Sequence, residues 1–149
     1  MSAEVHQAIP HRPPFLFLDE ILEVTDNSVR AGRTIRAEEP QFEGHYPGNP
    51  IMPGVLLCEA VFQAGAVFLS RKLAVDVVGD TTARTPVLTR IQDSKFKSIV
   101  RPGDELIIEA THTETLGKFH FLKGKVTREG KTVMTVRFSL AMVEAETPQ

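Results

Sequence analysis

From Val55 to Leu69 the chain reads VLLCEAVFQAGAVFL, apolar or small throughout except for Glu59 and Gln63. A helix that is apolar on every side is stable only when other structure encloses it. Pro53 suits the first turn, where a missing N–H costs nothing. Arg71 and Lys72 suit the last turn, at the negative end of the helix dipole. The spacing therefore predicts one helix from about Pro53 to Leu73. The run is short for a membrane span and carries Glu59 and Gln63, so its cover must be protein.

The remaining segments read as that cover. Thr132, Met134, Val136, Phe138, Leu140 and Met142 hold a period of two over six positions, the clearest strand pattern in the chain. Leu106, Ile108 and Ala110 alternate in the same way, and Phe119 and Phe121 alternate with Lys118 and His120. Pro102-Gly103-Asp104 and the stretch from Arg128 to Lys131 read as turns; Thr111 to Glu114 carries no readable signal. Pro86 to Ile91 and Lys95 to Ile99 are two further strand candidates. Nearer the N-terminus, strands from Phe15 to Val24 and from Val29 to Arg36 form a hairpin across Asp26-Asn27-Ser28, with Val29, Ala31 and Ile35 on one face. The first dozen residues form a short helical turn that ends before Pro13-Pro14. A polar connection spans Val78 to Arg84, and the tail EAETPQ is frayed. A sheet with one apolar face must bury it, and the long helix is the available partner. The expected class is α+β: a curved antiparallel sheet wrapped around one central helix, the hot-dog arrangement, as a single domain over residues 1–149.

Composition narrows the function classes. With 149 residues the chain is long enough for a substantial core. A net charge of −2 argues against nucleic-acid binding through bulk positive charge. Cys58, the lone cysteine, has no internal disulfide partner. The start MSAEVHQAIPHR lacks the basic-then-apolar pattern of a signal peptide. These point to a soluble cytoplasmic protein without membrane attachment. His6, His11, His112 and His120 show no metal spacing, so no zinc site is expected.

The chemistry is concentrated before and within the helix. Pro40 to Pro53 contains four prolines and two glycines in 14 positions, so the backbone there is irregular, and His45 sits in it. Because Pro53 has no N–H, Gly54 offers the first free backbone donor at the positive end of the helix. A carbonyl oxygen meeting that donor would be stabilised as it gained negative charge. Glu59 follows roughly 7–8 Å along the axis at about 1.5 Å per residue, and Gln63 lies one turn further on the same face. Apolar surroundings favour a proton on Glu59, and His45 supplies an imidazole as base. Base, acid and carbonyl-polarising donor together are the requirements of β-elimination next to a carbonyl.

The segment GHYPGNPIMPGVLLCEAVFQ closely resembles the active-site segment of the 3-hydroxyacyl-acyl-carrier-protein dehydratases, hot-dog enzymes of fatty-acid synthesis. PHRPPFLFLDEILEV resembles their N-terminal signature and FKSIVRPGDEL a later strand-turn-strand segment, so the likeness spans most of the chain in order. It implies catalytic roles for His45 and Glu59, a polarising amide at Gly54, and no metal or redox cofactor. Glu59, where the isomerising sister group usually has aspartate, tilts the reading towards dehydration alone. The resemblance also implies a homodimer with histidine from one chain and acid from the other, an apolar tunnel for the acyl chain between them, and a trimer of such dimers. The chain departs from the family pattern at Pro13 and near Pro86-Val87, where tyrosine or another aromatic is usual. Tyr46 stands where phenylalanine is usual.

Blander readings stand beside these. A histidine in a turn is commonly solvated, a glutamate in an apolar helix can be a paired structural carboxylate, and Gly54 can serve close packing alone. Gln63 either orients Glu59 or satisfies a backbone group. Cys58 adjoins no evident base and reads as a small apolar residue. Arg90, Lys95, Lys97 and Arg101 are either a docking patch for an acidic acyl carrier protein or solvated strand charges. Two other functions compete with the dehydratase: a hot-dog thioesterase, which would release free thiol, and a non-catalytic acyl-binding relative, which would bind without turnover.

Overall fold

The computed structural model describes residues 3–73 and 84–144. Residues 78–83 of the expected polar connection and residues 145–149 of the tail lie outside them. In chain order come helix α1 (Ala3–Ala8), strands β1 (Glu20–Val24) and β2 (Ser28–Thr34), a 3-10 turn (Pro40–Glu43) and helix α2 (Gly54–Lys72). Strands β3 (Arg84–Phe96), β4 (Glu105–Leu116), β5 (Phe119–Arg128) and β6 (Lys131–Glu144) follow. The six strands form one antiparallel sheet in the order β1-β2-β4-β5-β6-β3. The sheet curls around α2, the hot-dog fold.

The two periodicities meet in the core. Val29 and Ala31, Leu106 and Ile108, Leu122 and Val126, and Met134 and Phe138 turn inward from four strands, all nearly or fully buried. Most of α2 is enclosed by them, Leu57 to Leu69 in particular. By length and composition α2 would pass for a membrane span, yet it is mostly buried within the protein. Helix and sheet approach each other closely at Gly124 of β5. A Cβ there would lie 2.2 Å from Val61 Cγ1 and 2.9 Å from the Glu109 carbonyl, so only glycine lets the helix settle at this depth.

Three elements differ from the sequence expectation. Leu16 to Leu18 is buried chain outside any strand, preceded by the half-exposed Phe15, because the Gln63 side chain takes the backbone bonds of Phe15 and Phe17; β1 begins only at Glu20. The two candidates around Pro86 and Lys95 are one strand, β3. Register shifts between Leu88 and Arg90 and between Gln92 and Lys95 interrupt its alternation, and Asp93 has φ 51°. Thr111 to Glu114 continues β4 to Leu116, through a bulge between His112 and Glu114.

The fold leaves one flank uncovered. At the edge of the sheet, β3 turns Leu88, Ile91 and Phe96 to the helix side in register with Leu140, Phe138 and Met134, yet these three are exposed. Val55 at the start of α2 and Ile99 beyond β3 are exposed as well.

Candidate active site

His45 is held by a turn built from local bonds. Its backbone N–H donates to Gln41 O (3.0 Å), and Asn49 N–H donates to Tyr46 O (2.8 Å). Positive φ angles at Tyr46 (65°) and Gly48 (82°) reverse the chain twice in this short space. Arg101 clamps the turn from outside, its Nη1 donating to Asn49 Oδ1 (2.6 Å) and Pro50 O (3.3 Å). The half-buried imidazole has Nδ1 2.6 Å from the Ile51 carbonyl. A carbonyl oxygen only accepts, so Nδ1 carries the proton, and in the neutral imidazole the lone pair is then on Nε2, the tautomer a general base needs.

Pro53 is the N-cap residue of α2, with Gly54 the first helical residue. Leu56 and Leu57 donate to Pro53 O; among the described residues no acceptor meets the Gly54 N–H. The donor at the positive end of the helix is therefore available. Gly54 also serves close packing, since a Cβ would lie 2.8 Å from the Phe96 ring. The bland and the functional readings of this glycine hold together: the missing side chain makes room for Phe96 beside an open donor.

Glu59 sits on α2, partly buried, with Oε2 3.5 Å from Gln63 Nε2. Burial raises its pKa, and the Gln63 contact opposes the rise. The carboxyl therefore keeps its proton to higher pH than a free glutamate, as a general acid requires. Gln63 is 1% exposed. Its Oε1 accepts from Phe17 N (2.8 Å) and its Nε2 donates to Phe15 O (3.0 Å) while reaching Glu59.

The raised pKa has a stability sign. The folded chain binds the Glu59 proton more tightly than the unfolded chain does. This contribution is complete below the unfolded pKa and is lost as pH rises through the folded one. Glu59→Gln should therefore unfold at higher denaturant concentration than wild type above that pKa, with the difference vanishing in acid. Urea titrations at a series of pH values read this out; no gain at alkaline pH would refute the buried-acid assignment.

Among the described residues no hydrogen bond or ion pair joins His45 to Glu59 within the chain. Cys58 is a buried thiol whose Sγ lies 3.2 Å from Ser94 Oγ, and burial pushes its pKa up, so it packs and does not attack. Among the described residues no group of three or more histidine, cysteine or acidic side chains is placed to hold a metal.

The four candidate docking cations are all exposed but differ in their surroundings. Arg101 is committed to the His45 turn, and the backbone N–H of Lys97 donates to Val133 O (2.7 Å). Arg90 and Lys95 pair in register with Ser139 and Thr135, on the face turned away from α2. There Lys95 borders a groove of about 780 Å³, with Arg30, Lys123, Lys125 and Arg137 as its other cations. Glu109 pairs with Arg30 (3.1 Å) and Lys125 (3.5 Å). Sequence reading missed this cluster because its members come from β2, β3, β5 and β6, and only the strand register aligns them.

Comparison with known proteins gives concordant results. A family model described as a FabA-like domain matches residues 9–137. The 3-hydroxyacyl-[acyl-carrier-protein] dehydratase FabZ of Rickettsia felis is 37% identical over 142 residues, covering 95% of this chain and 94% of its own. The protein of the same name from Clostridium perfringens is 38% identical over 128 residues, covering 86% and 88%. Among solved structures, the dehydratase heterocomplex ApeI:P from Xenorhabdus doucetiae superposes with a TM-score of 0.77 at 19% identity, covering 95% of this chain and 92% of that one. A hypothetical thioesterase with coenzyme A from Streptococcus pneumoniae gives 0.62 at 15% identity, covering 86% and 88%, a likeness of fold alone.

Proposed function

The chain belongs to the FabA-like domain family, and from that premise we propose that it dehydrates (3R)-3-hydroxyacyl thioesters of acyl carrier protein to trans-2-enoyl thioesters in fatty-acid biosynthesis. His45 Nε2 removes the α-proton. The thioester oxygen, gaining charge, is met by Gly54 N–H at the head of α2. Glu59 gives its proton to the β-hydroxyl as the C–O bond breaks, and water leaves. The C–H and C–O bonds are broken, the C=C bond forms, His45 gains the α-proton and the Glu59 proton leaves in the water; no electron is transferred, so the scheme enlists no redox cofactor. The observations that carry this reading are an imidazole whose Nδ1 is held by the Ile51 carbonyl, a helix carboxyl whose pKa is raised by burial, and an open N–H at the head of α2.

The acid and base come from different protomers of a homodimer, with the acyl chain in the apolar space between them. The support is the uncovered flank. Leu88, Ile91 and Phe96 on the helix side of edge strand β3, with Val55 and Ile99, are an apolar surface of the kind a second copy covers. A trimer of dimers remains part of this reading. We place the enzyme in the cytoplasm, in keeping with the free thiol of Cys58.

The test is to mix the protein with a (3R)-3-hydroxyacyl thioester of carrier protein and follow ultraviolet absorbance of the conjugated product. A rise without thiol release is the expected result. Thiol release would establish a thioesterase instead, and binding without either signal a non-catalytic acyl binder.

Carrier docking goes to the outer groove, whose five cations outnumber Glu109 and Asp93 and are complementary to an acidic partner. Lys95→Glu combined with Lys123→Glu should raise KM for the carrier-borne substrate about tenfold or more and leave the coenzyme A thioester unaffected. Equal effects on both substrates would remove the groove from docking.

A further inference from the structure

Arg33 occupies an inward position of β2, between Ala31 and Ile35, where alternation calls for an apolar side chain. It is 6% exposed. One guanidinium nitrogen, Nη2, pairs with Glu39 Oε1; the other, Nη1, lies 3.6 Å from Asp19 Oδ1 and donates to Thr34 O (3.2 Å). Its Cζ stands 5.7 Å from the centre of the Phe17 ring. The buried Nε has no hydrogen-bond partner among the described residues. A buried cation with an unsatisfied donor is costly, and the fold keeps it at a junction of two paths.

One path runs to the acid. Phe17, packed under the guanidinium, donates its N–H to Gln63, and Gln63 reaches Glu59. The other path runs to the base. Glu39 accepts from Gln41 Nε2 (3.1 Å), and the Gln41 carbonyl accepts the backbone N–H of His45. Arg36 braces the same cluster, donating to Asp19 through both terminal nitrogens and to Glu39 Oε2 through its backbone N–H.

We propose that Arg33 is a positioning residue that sets the His45 turn and the Gln63–Glu59 pair of one protomer relative to each other, by joining Glu39 on one side to Phe17 on the other. It touches no reacting atom. Its rate consequences rest on the dehydratase reading; its structural consequences do not.

Arg33→Met should lower kcat about 10–100-fold with KM nearly unchanged, since a small misplacement of catalytic groups acts on the chemical step. That variant leaves the partly buried Glu39 without its side-chain cation and Asp19 with Arg36 alone, and can fail to fold. The decisive variant is therefore Arg33→Met with Asp19→Asn and Glu39→Gln, which removes the buried cation together with both carboxylates and leaves only the half-exposed Arg36 charged. A folded triple variant whose kcat stays depressed supports positioning; a folded triple variant with wild-type kcat overturns it. Nuclear magnetic resonance supplies a readout independent of activity. In the triple variant the Glu59 carboxyl carbon should titrate at higher pH than in wild type, because a displaced Gln63 no longer supports the carboxylate. The His45 ring nitrogens should lose their single-tautomer pattern. Both signals unchanged would overturn the proposal even if the wild type proved inactive on hydroxyacyl thioesters, whereas an inactive wild type with both signals moved would overturn the dehydratase alone.

Discussion

Replacing His45 by alanine is expected to lower kcat/KM for dehydration by about 10²–10⁴-fold, the usual contribution of a positioned base, or about 3–5 kcal/mol of transition-state stabilisation. Glu59→Gln should lose a similar factor, because the amide fills the same space and cannot give up a proton. Neither change disturbs the core: His45 is tied through Nδ1 to one carbonyl, and Glu59 only to Gln63. The informative measurement is to unfold and refold the two inactive variants together. If base and acid meet across a dimer interface, random pairing in equal amounts makes half the dimers mixed, each with one intact site, and about a quarter of wild-type activity returns. If both groups act within one chain, every site is defective and nothing returns. Full activity in both single variants would remove the mechanism itself.

Gln63→Leu should destabilise the fold by about 2–4 kcal/mol, read as a fall in the urea midpoint at unchanged slope. Leucine fills nearly the same volume but leaves the buried Phe17 N–H without an acceptor and the Phe15 carbonyl without its donor. These bonds join positions 46 and 48 residues apart and stand in for a strand partner. The same variant removes the donor beside Glu59, so the carboxyl should hold its proton to still higher pH. The alkaline limb of the kcat profile, where the acid is lost, should move up accordingly. A stability loss with an unmoved limb would make Gln63 a backbone support alone.

Where sequence and structure agree, the signal was local. Pro53, Gly54 and the apolar run that follows announce a buried helix, since proline, an open N-terminus and helical spacing act within a few residues. The candidate site residues give sequence signals of the same local kind. A histidine in a turn of prolines and glycines, and a carboxyl and an amide one helical turn apart, need no knowledge of the rest of the chain. The alternation from Thr132 to Met142 shows β6 for the same reason.

Where they part, the deciding partner is distant. Phe15 to Leu18 has the composition of a strand but spends its hydrogen bonds on α2. β3 looks like two strands because its bulges break the period, and only pairing with β6 makes it one. Arg101 reads in sequence only as a candidate docking cation, and the fold adds a second role by bringing Asn49 and Pro50 against it. Arg33 lies on the same parity as Val29, Ala31 and Ile35, so the alternation itself placed a charge inside; its carboxylates and the Phe17 ring had to be brought from other segments to keep it there. Residue order alone determined the central helix and the chemical groups it carries, because propensity, periodicity and turn geometry are short-ranged. The tertiary structure decided which groups lose water and which meet, because burial and electrostatics depend on neighbours that chain folding alone supplies.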